Sequence, residues 1–588
     1  MAQSVIERIV DLLQSEGVDT LFGIPDPTFF AMFTIAQQRG MRVVAPHHEE
    51  AGCFMADALW RMTGKPGVMT GNKGPGVANL VAGAIHALKE NVPTIFIGGQ
   101  RHRLYEHRAR RGKVVYLSQQ RYLEAIVKYV GILEYPEQVD EILHEAFRRA
   151  LSGVPGPVYI EIPMSVMEGQ LELPAVLAPH EYRLVHQWAS TEVITTAAKL
   201  INASRYPILL VGQGVFVSRS HEEVAALART LACPILQTSG GCSVLCGLAD
   251  RTFPYGYSPA SEVIAKSDLV IALGTELGEP VHYGRGRHWT KGNVDRKWIH
   301  VEKDPSSIGV NRPIDVPLVG DLRDVVPQLT EAVKPLARSA PPELVEWSTV
   351  HAHLRQEQLE SVSTRSTPIH PARLAVEATR ALPKDAVLIR DGGAMGLFFA
   401  QYMQIRPQDF FWNSNYGSIG PGLPYAIGAQ LAVGNERRVV LLSGDSSFLF
   451  YVSELETAAR KRLPVVCVIG VDYAWGIEDM SYKSRYGSQS HSPEARWSTD
   501  VRLDKTAESF GAYGEYVERS EDIAPAVNRA LASGKPAVLH VVIDPIANST
   551  TEEVPGFAEF RTWYGEPGDN LGFGTATPSG YEYLKPRQ

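Results

Sequence analysis

The stretch that decides the fold spans residues 439–478 and reads VVLLSGDSSFLFYVSELETAARKRLPVVCVIGVDYAWGIE. It contains two short apolar runs of buried-strand type, at residues 439–442 and 465–469, separated by a charged segment of helical composition. A strand, a helix and a second strand in this order predict a βαβ unit with parallel strands. Asp445 and Asp472 follow the two strands. Both carboxylates are therefore expected at the carboxyl edge of one sheet, where α/β sheets bind ligands.

Two carboxylates at one sheet edge predict a site for a hard divalent cation. Mg²⁺ takes oxygen ligands in near-octahedral geometry, usually one or two carboxylates with backbone, water and phosphate oxygens completing the shell. Asp445, Asp472 and a loop carbonyl would supply the protein's ligands. A Gly-Asp-Ser turn by itself is more often only a turn, so the assignment depends on the spacing of the whole stretch.

The order of motifs in this stretch resembles the thiamine diphosphate signature of the acetolactate synthase and pyruvate decarboxylase superfamily. The matching pieces are Gly-Asp-Ser-Ser-Phe at 444–448, Glu-Leu-x-Thr-Ala-x-Arg-x-x-Leu-Pro-Val at 454–465, and the acidic loop at Asp472. The resemblance implies a thiamine diphosphate cofactor and Mg²⁺ bound by Asp445, Asp472 and the backbone carbonyl of Ala474. The cofactor-binding residues that it implies here are Gly444, Asp445, Ser446, Ser447, Asp472, Ala474, Trp475, Gly476 and Ile477.

Two positions depart from the pattern of that family. Ser446 stands where the third glycine is usual, and Val471-Asp472 stands where an Asn-Asn pair is usual. The second Asn of the pair commonly ligates the metal through its amide oxygen. A carboxylate oxygen of Asp472 can take the same place with an additional negative charge, so metal binding is still expected.

A second region near the N-terminus strengthens the resemblance. The run from His48 to Asp57, HEEAGCFMAD, looks like the glutamate helix of the family, and Glu49 is the matching carboxylate. In those enzymes this glutamate hydrogen-bonds N1′ of the cofactor's aminopyrimidine and promotes the imino tautomer that activates thiazolium C2. A first-turn helix glutamate is the simpler interpretation of Glu49 taken alone.

Two further turns match the family in the expected order. Gly74, Pro75 and Gly76 look like the turn that opens a helix beside the cofactor. Gly417, Ser418 and Ile419 resemble the loop in which a bulky apolar side chain, here Ile419, holds the cofactor bent. The alternative for Ile419 is an ordinary core residue before a helix.

Candidates for proton transfer are less specific. Glu478 matches a position where pyruvate decarboxylases carry a catalytic glutamate, and a glutamate in the first turn of a helix is the alternative. His48 is a candidate proton shuttle by residue type, with a structural histidine as the alternative. Gln120, next to Gln119, lies near the family's active-site glutamine.

The composition fits a globular protein of several domains whose cysteines are reduced. The chain of 588 residues is 44% hydrophobic and 21% charged, with a net charge of −8, which gives no general reason to expect a nucleic-acid partner. Five cysteines favour a reducing compartment over a disulfide framework. The first residues have the pattern of an amphipathic helix and not of a signal peptide, and no apolar run is long enough to span a membrane. We expect a cytoplasmic protein with no membrane partner.

The pattern of strands and helices predicts an α/β protein of three doubly wound parallel-sheet domains followed by a tail. The expected segments are a pyrimidine-binding domain at 1–172, a central domain at 189–335, a diphosphate- and Mg²⁺-binding domain at 368–548, and a tail at 549–588 that could act as a lid. In the central domain the glycine turn at 212–214 leaves ADP as a candidate ligand. Flavin is not expected, because the turn at 274–276 lacks the arginine frequent in acetolactate synthases.

The resemblance also implies how the chain assembles. In the family the glutamate that matches Glu49 reaches a cofactor held by the last domain of a neighbouring subunit. A homodimer, or a dimer of dimers, with the active site at the interface is therefore expected.

The sequence favours a large anionic substrate but does not fix one. Basic residues gather at 101–113 and 285–297, where they could bind phosphates or simply form a solvated basic face, and the tail is rich in aromatic residues. The leading hypothesis is a carbon–carbon lyase acting on a small acyl substrate as its coenzyme A thioester, as in the 2-hydroxyacyl-CoA lyase and oxalyl-CoA decarboxylase branch. Acetolactate-synthase-like condensation of free 2-oxo acids is the alternative, and a catalytically silent binding protein of the same fold is a third.

Overall fold

The computed structural model describes most of the chain. The described residues are 3–103, 114–241, 245, 247–256, 259–285, 289, 292, 295–334, 338–362, 367–405, 407–487 and 491–549. Most of the basic segment at 101–113, part of the one at 285–297, and the tail beyond residue 549 lie outside this set. Within it, no helix is both long and apolar enough to cross a membrane.

The first sheet has six parallel strands in the order β3-β2-β4-β5-β7-β6, and β1 pairs with β8 as a separate antiparallel ribbon. The strands are β1 Gln3–Ser4, β2 Thr20–Gly23, β3 Arg42–Val44, β4 Val68–Gly71, β5 Ile95–Gln100, β6 Tyr129–Ile132, β7 Val158–Pro163 and β8 Gln170–Leu171. The helices are α1 Val5–Ser15, α2 Phe30–Gln38, α3 Glu49–Thr63, α4 Pro75–Asn79, α5 Val81–Lys89, α6 Gln119–Leu123, α7 Val139–Leu151, α8 Met164–Met167 and α9 Pro179–Tyr182. The expected N-terminal helix is α1, which Ser4 and Glu7 begin with a capping box.

The central sheet also has six parallel strands, in the order β11-β10-β9-β12-β13-β14. The strands are β9 Pro207–Val211, β10 Ile235–Gln237, β11 Thr252–Pro254, β12 Leu269–Leu273, β13 Lys297–Glu302 and β14 Val316–Val319. The helices are α10 Thr191–Ala203, α11 Gln213–Val217, α12 His221–Leu231, α13 Ala260–Lys266, α14 Leu322–Val333 and α15 Glu343–Ser361. In chain order this is 3-2-1-4-5-6, the strand order of dinucleotide-binding folds.

The third sheet has the order β16-β15-β17-β18-β20-β19, again with parallel pairing throughout. The strands are β15 Val387–Arg390, β16 Phe410–Phe411, β17 Val439–Gly444, β18 Val466–Val471, β19 Tyr513–Val517 and β20 Ala537–Val542. The helices are α16 Pro371–Arg380, α17 Gly393–Tyr402, α18 Gly422–Val433, α19 Asp445–Phe448, α20 Glu454–Arg460, α21 Gly476–Tyr486, α22 Leu503–Ser509 and α23 Ile523–Ala532. Numbered by chain position, the first and third sheets share the order 2-1-3-4-6-5. The three-domain α/β prediction and the βαβ unit at 439–478 are confirmed.

The first and third domains pack against each other within the chain through α3 and α18. At their crossing a Cβ on Gly428 would lie 2.2 Å from the backbone oxygen of Met55, so only glycine permits this approach of the two helices. The phenol of Tyr425 on α18 donates to Oδ2 of Asp57 on α3 at 2.7 Å. This packing brings the N-terminus of α3 close to the loops that follow β17.

Candidate active site

Three aspartates follow three adjacent strands of the third sheet. Strand β15 pairs with β17, and β17 pairs with β18. Asp391, Asp445 and Asp472 come directly after these strands, at the edge where the strand order reverses. The carboxyl edge at such a reversal is where α/β sheets bind ligands.

Asp445 and Asp472 form a buried pair at this edge, with 1% and 5% of each residue exposed. Asp445 accepts backbone hydrogen bonds from Ser446 and Tyr473, both at 2.9 Å. Burial and the neighbouring Asp472 carboxylate raise the pKa of Asp445 well above its usual range, and burial likewise raises the pKa of Asp472. Two carboxylates that disfavour each other's charge are the arrangement that a bound cation stabilises.

The pair would not complete a metal shell alone. Among the described residues, no group of three or more His, Cys, Asp or Glu side chains is placed to hold a metal. Backbone, water and phosphate oxygens would have to supply the remaining ligands, which is usual for Mg²⁺. The donor set fits a magnesium ion shared with a diphosphate.

The loop that carries Ala474 is held in place from outside the sheet. Ala474 pairs with Arg496 in an isolated antiparallel β-bridge. On either side of it, the backbone N–H of Trp475 donates to the backbone oxygen of Ala495 at 2.8 Å, and the backbone N–H of Trp497 donates to the backbone oxygen of Tyr473 at 3.1 Å. These contacts fix the backbone carbonyls of the loop beside Asp472. The predicted carbonyl ligand therefore lies in an ordered loop.

Two glycines, Gly392 and Gly393, leave space free of side chains next to the acidic pair. A Cβ on Gly392 would come within 2.4 Å of the hydroxyl oxygen of Ser447, and one on Gly393 would contact Ile477 at 3.5 Å. The Ser447 hydroxyl is buried and has no hydrogen-bond partner in the described part of the chain. An unpartnered buried donor beside glycine backbone suits a phosphate oxygen. The turn at Asp391, Gly392 and Gly393 was not predicted from the sequence.

Asp391 anchors the loop that carries Ile419. Its carboxylate accepts hydrogen bonds from the backbone N–H groups of Gly420, at 3.1 Å, and Gly422, at 2.8 Å. Burial nevertheless raises the pKa of Asp391 to about 6. Ile419 itself is 37% exposed, so it is not an ordinary core residue in this chain and is free to contact a ligand.

A buried ionic network holds the preceding turn. Oε1 of Glu90 accepts hydrogen bonds from the backbone N–H groups of Asn415 and Tyr416, both at 2.8 Å. Oε2 of Glu90 accepts from Gln213 of the central domain at 2.9 Å and from Arg61 at 3.2 Å. Glu90 therefore ties all three domains to the loop 413–419.

The Ser418 side chain is fixed by two neighbours. Its hydroxyl lies 3.0 Å from Nδ1 of His86 and accepts from Nδ2 of Asn413 at 2.8 Å. Gly417 adopts the left-handed conformation with φ +70°, which glycine tolerates without strain. The predicted cofactor loop is thus held from both the first and the third domain.

Glu49 begins α3 and is 6% exposed. Its Oε2 accepts a hydrogen bond from Nδ2 of Asn79 at 2.9 Å. A Cβ on Gly76 would lie 3.0 Å from Oε1, so the predicted Gly-Pro-Gly turn lies against the predicted carboxylate. The adjacent Glu50 lies beside Tyr451 instead, and burial together with the Glu50 carboxylate raises the pKa of the Tyr451 phenol well above its usual range.

The Gly-Pro-Gly turn is anchored by Gln119. Oε1 of Gln119 accepts from the backbone N–H of Gly74 at 2.6 Å, and its amide donates to Glu161 at 3.0 Å. The predicted residue Gln120 has a buried side-chain oxygen with no hydrogen-bond partner among the described residues. Pro75 takes the first position of α4, where its missing N–H costs nothing.

Two predicted catalytic residues occupy positions with simpler roles. Nδ1 of His48 accepts the backbone N–H of Glu50 at 3.2 Å and so caps α3. Glu478 is exposed in the first turn of α21, where the helix dipole favours a carboxylate. The proton-transfer roles of both residues stay predictions.

A cavity of about 1040 Å³ lies where the strand order of the central sheet reverses, and residues of all three domains line it. The turns after β9 and β12 lie against each other there, because a Cβ on Gly214 would come within 2.6 Å of the Cα of Gly274. Gln213 and Asn415 line the same cavity. A ligand in this cavity would therefore lie beside two partners of Glu90.

Comparison with known proteins agrees with this geometry. Three family models match the chain: the N-terminal thiamine pyrophosphate (TPP) binding domain of TPP enzymes at residues 3–124, their central domain at 194–329, and their C-terminal TPP binding domain at 391–541.

Curated relatives match over nearly the whole chain. The acetolactate synthase isozyme 2 large subunit of Escherichia coli (strain K12) is 28% identical over 563 residues, covering 93% of this chain and 97% of the relative. The probable acetolactate synthase large subunit of Methanocaldococcus jannaschii is 28% identical over 569 residues, covering 92% of each. The acetolactate synthase of Bacillus subtilis (strain 168) is 27% identical over 547 residues, covering 92% of this chain and 93% of the relative. With all three domain models matched in order, the chain belongs to the family of thiamine pyrophosphate enzymes.

Proposed function

We propose that this chain is a thiamine diphosphate- and Mg²⁺-dependent carboligase that condenses free 2-oxo acids. The observation that carries the proposal is that one chain holds both Glu49, buried against the Gly-Pro-Gly turn, and the buried Asp445–Asp472 pair. Relatives named acetolactate synthase match more than nine-tenths of the chain, which supports this substrate class.

The residues divide the work between the two ends of the cofactor. Asp445, Asp472 and the carbonyl of Ala474 would hold Mg²⁺ and through it the diphosphate, with Ser447 and the glycines at 392–393 beside it. Glu49 would hold a proton at the aminopyrimidine, and Ile419 would fix the angle between the two rings. When bound, the cofactor supplies a nucleophilic carbon and an electron sink for the bond that breaks.

The proposed reaction balances without an oxidant. One 2-oxo acid loses its carboxylate as CO₂, and the remaining acyl fragment forms a carbon–carbon bond with the carbonyl carbon of a second 2-oxo acid. One proton is taken up in the process. No redox partner is needed, so the central cavity does not have to hold an electron carrier. ADP remains a proposed ligand there, and Thr275 and Glu276 in place of an arginine argue against flavin.

The coenzyme A thioester hypothesis is weaker. The relatives reported above are named for acetolactate synthesis, and most of the segment 101–113 and the tail beyond residue 549 lie outside the described residues. The test is to supply the purified protein with thiamine diphosphate, Mg²⁺ and either pyruvate or a 2-hydroxyacyl-CoA. We expect CO₂ release and acetolactate from pyruvate. Thioester cleavage with no condensation would overturn the proposal.

We also propose that the chain acts as a homodimer. Ile419 and Tyr416 belong to the predicted cofactor loop and Phe450 lies beside it, and these residues are 37%, 43% and 50% exposed. Large apolar side chains at a predicted site favour burial against a ligand or a second chain. A second copy that supplies its Glu49 would cover them, in line with the assembly that the resemblance implies.

A further inference from the structure

The side chain of Asn548 lies against the predicted metal ligand Asp472. Nδ2 of Asn548 donates to Oδ2 of Asp472 at 2.8 Å. Asn548 is 3% exposed, and its own Oδ1 is buried with no hydrogen-bond partner in the described part of the chain. A Cβ on Gly476 would come within 3.0 Å of both Oδ2 of Asp472 and Nδ2 of Asn548, so glycine at this position leaves room for their bond.

Asn548 is held in this place by its neighbours. Its backbone N–H donates to the oxygen of Asp544 at 3.1 Å, within the short turn Ala547–Ser549. The hydroxyl of the next residue, Ser549, accepts from Nζ of Lys483 on α21 at 2.6 Å. These contacts hold the turn that carries Asn548 in place. Residue 548 also lies beyond the range 391–541 that the family model matches.

We propose that Asn548 is a positioning residue that compensates for the aspartate at 472. Position 472 carries a second charge where the family has an amide, and Asn548 brings an amide to that carboxylate from elsewhere in the chain. Its N–H donates to Oδ2 of Asp472 and so holds the orientation of that carboxylate beside Asp445. This inference rests on the metal-binding role proposed for Asp472.

The physical reason is the cost of an unpaired buried carboxylate. Hydrogen bonds to ionised groups are stronger than neutral ones, and removing the donor leaves a desolvated charge without a partner. Without Asn548, the Asp472 carboxylate would lose the donor that fixes its orientation, and a carboxylate that is free to rotate holds a cation less well. If residue 472 is a neutral amide, removing Asn548 is expected to weaken cation binding less, because the bond to Asn548 is then not charge-assisted.

A double-mutant cycle tests the proposal. Thiamine diphosphate binding is followed by tryptophan fluorescence as Mg²⁺ is titrated, in the wild type, Asn548→Leu, Asp472→Asn and the double variant. We expect Asn548→Leu to raise the Mg²⁺ concentration for half-maximal binding about tenfold, the size of a lost charge-assisted bond. In the Asp472→Asn background the same change should have an effect several-fold smaller. Ser549→Ala is the matched control, since it removes a bond of the same turn without touching Asp472.

The outcomes separate this inference from the proposed metal site. If the wild type shows no Mg²⁺-dependent binding, the metal site and the role of Asn548 both fall. If the wild type binds with Mg²⁺ and Asn548→Leu binds at the same Mg²⁺ concentration, only the role of Asn548 falls. An equal effect of Asn548→Leu in both backgrounds, accompanied by an equal loss of thermal stability without cofactor, would show a merely structural residue and overturn the proposal.

Discussion

The carboxylate of Glu49 accepts a hydrogen bond from the side-chain amide of Asn79, with 2.9 Å between Oε2 and Nδ2. The bond leaves Oε1 beside Gly76, where no side chain intervenes. One oxygen is thus held by Asn79, and the other lies against a residue that has no side chain. A fixed orientation is what a group that shares a proton with a ligand ring requires.

The first prediction follows from that geometry. Glu49→Gln should fold and bind the cofactor but lose roughly two orders of magnitude or more in turnover, because an amide cannot share the proton of the ring nitrogen. Glu50→Gln is the control, since Glu50 is the adjacent carboxylate but lies beside Tyr451 and has no role in the proposed proton transfer, so turnover should stay within about threefold. Steady-state kinetics on the two variants decide the matter. Near-normal turnover in Glu49→Gln would remove Glu49 from this role.

The second prediction concerns the metal. Asp445→Ala should abolish Mg²⁺-dependent retention of thiamine diphosphate, because the diphosphate then loses its ionic bridge. Asp472→Asn should retain binding, since it restores the amide ligand usual in the family. Retention is measured by gel filtration of the loaded protein with and without Mg²⁺. Loss of binding in Asp472→Asn together with normal binding in Asp445→Ala would show that the motif has been assigned to the wrong residues.

The sequence was informative where the spacing is local. Asp445 and Asp472 flank one βαβ unit, so the topology alone places both at the same sheet edge. The same reasoning could have found Asp391, which also follows a short strand, Val387–Arg390, of three apolar residues and an arginine, and precedes two glycines. It was missed because a single Asp-Gly-Gly turn carries no spacing to a second motif.

Other parts of the site could not be read from the sequence. Asn548 meets Asp472, and Glu90 meets Asn415, only through the packing of elements that are distant in the chain. Composition does not tell which buried carboxylate pairs with which donor. The sequence also does not tell which way a side chain points: of the two adjacent glutamines, Gln119 and not Gln120 accepts the hydrogen bond of Gly74.

The third prediction concerns pH and Asp391. Burial raises its pKa from 3.8 to about 6, so the folded state disfavours its charge. The stability associated with the protonated carboxyl is complete below about pH 4 and is lost as the pH rises through about 6, at a cost of roughly 3 kcal/mol. Asp391→Asn cannot ionise at this position, so its stability does not fall in this way as the pH rises. Its melting temperature relative to that of the wild type should therefore rise by several degrees between pH 4 and pH 7, as measured by calorimetry without cofactor. A difference that does not change with pH would contradict the assignment.

The fourth prediction concerns the buried ionic network. Among the described residues, Glu90→Ala leaves Arg61 with Asp57 as its one carboxylate partner, and it leaves the backbone N–H groups of Asn415 and Tyr416 without their acceptor. Breaking a buried pair in this way costs about 3–5 kcal/mol. We expect a lower melting temperature and weaker cofactor binding, because the loop 413–419 loses its anchor. Lys89 is the exposed last residue of α5, next to Glu90, so Lys89→Ala is the control and should match the wild type. Normal cofactor affinity in Glu90→Ala would show that the loop is positioned by other contacts.

The fifth prediction concerns the subunit that completes each active site. If Glu49 of one chain serves the cofactor held by Asp445 of its partner, Glu49→Gln and Asp445→Ala should each be inactive as homodimers. A heterodimer of the two variants, isolated with two different affinity tags after co-expression, contains one intact site and one site with both changes. Its activity should be about half that of the wild-type dimer. If both residues of a site came from the same chain, each site of the heterodimer would carry one change and no activity would return. A heterodimer as inactive as the homodimers would therefore refute the shared site.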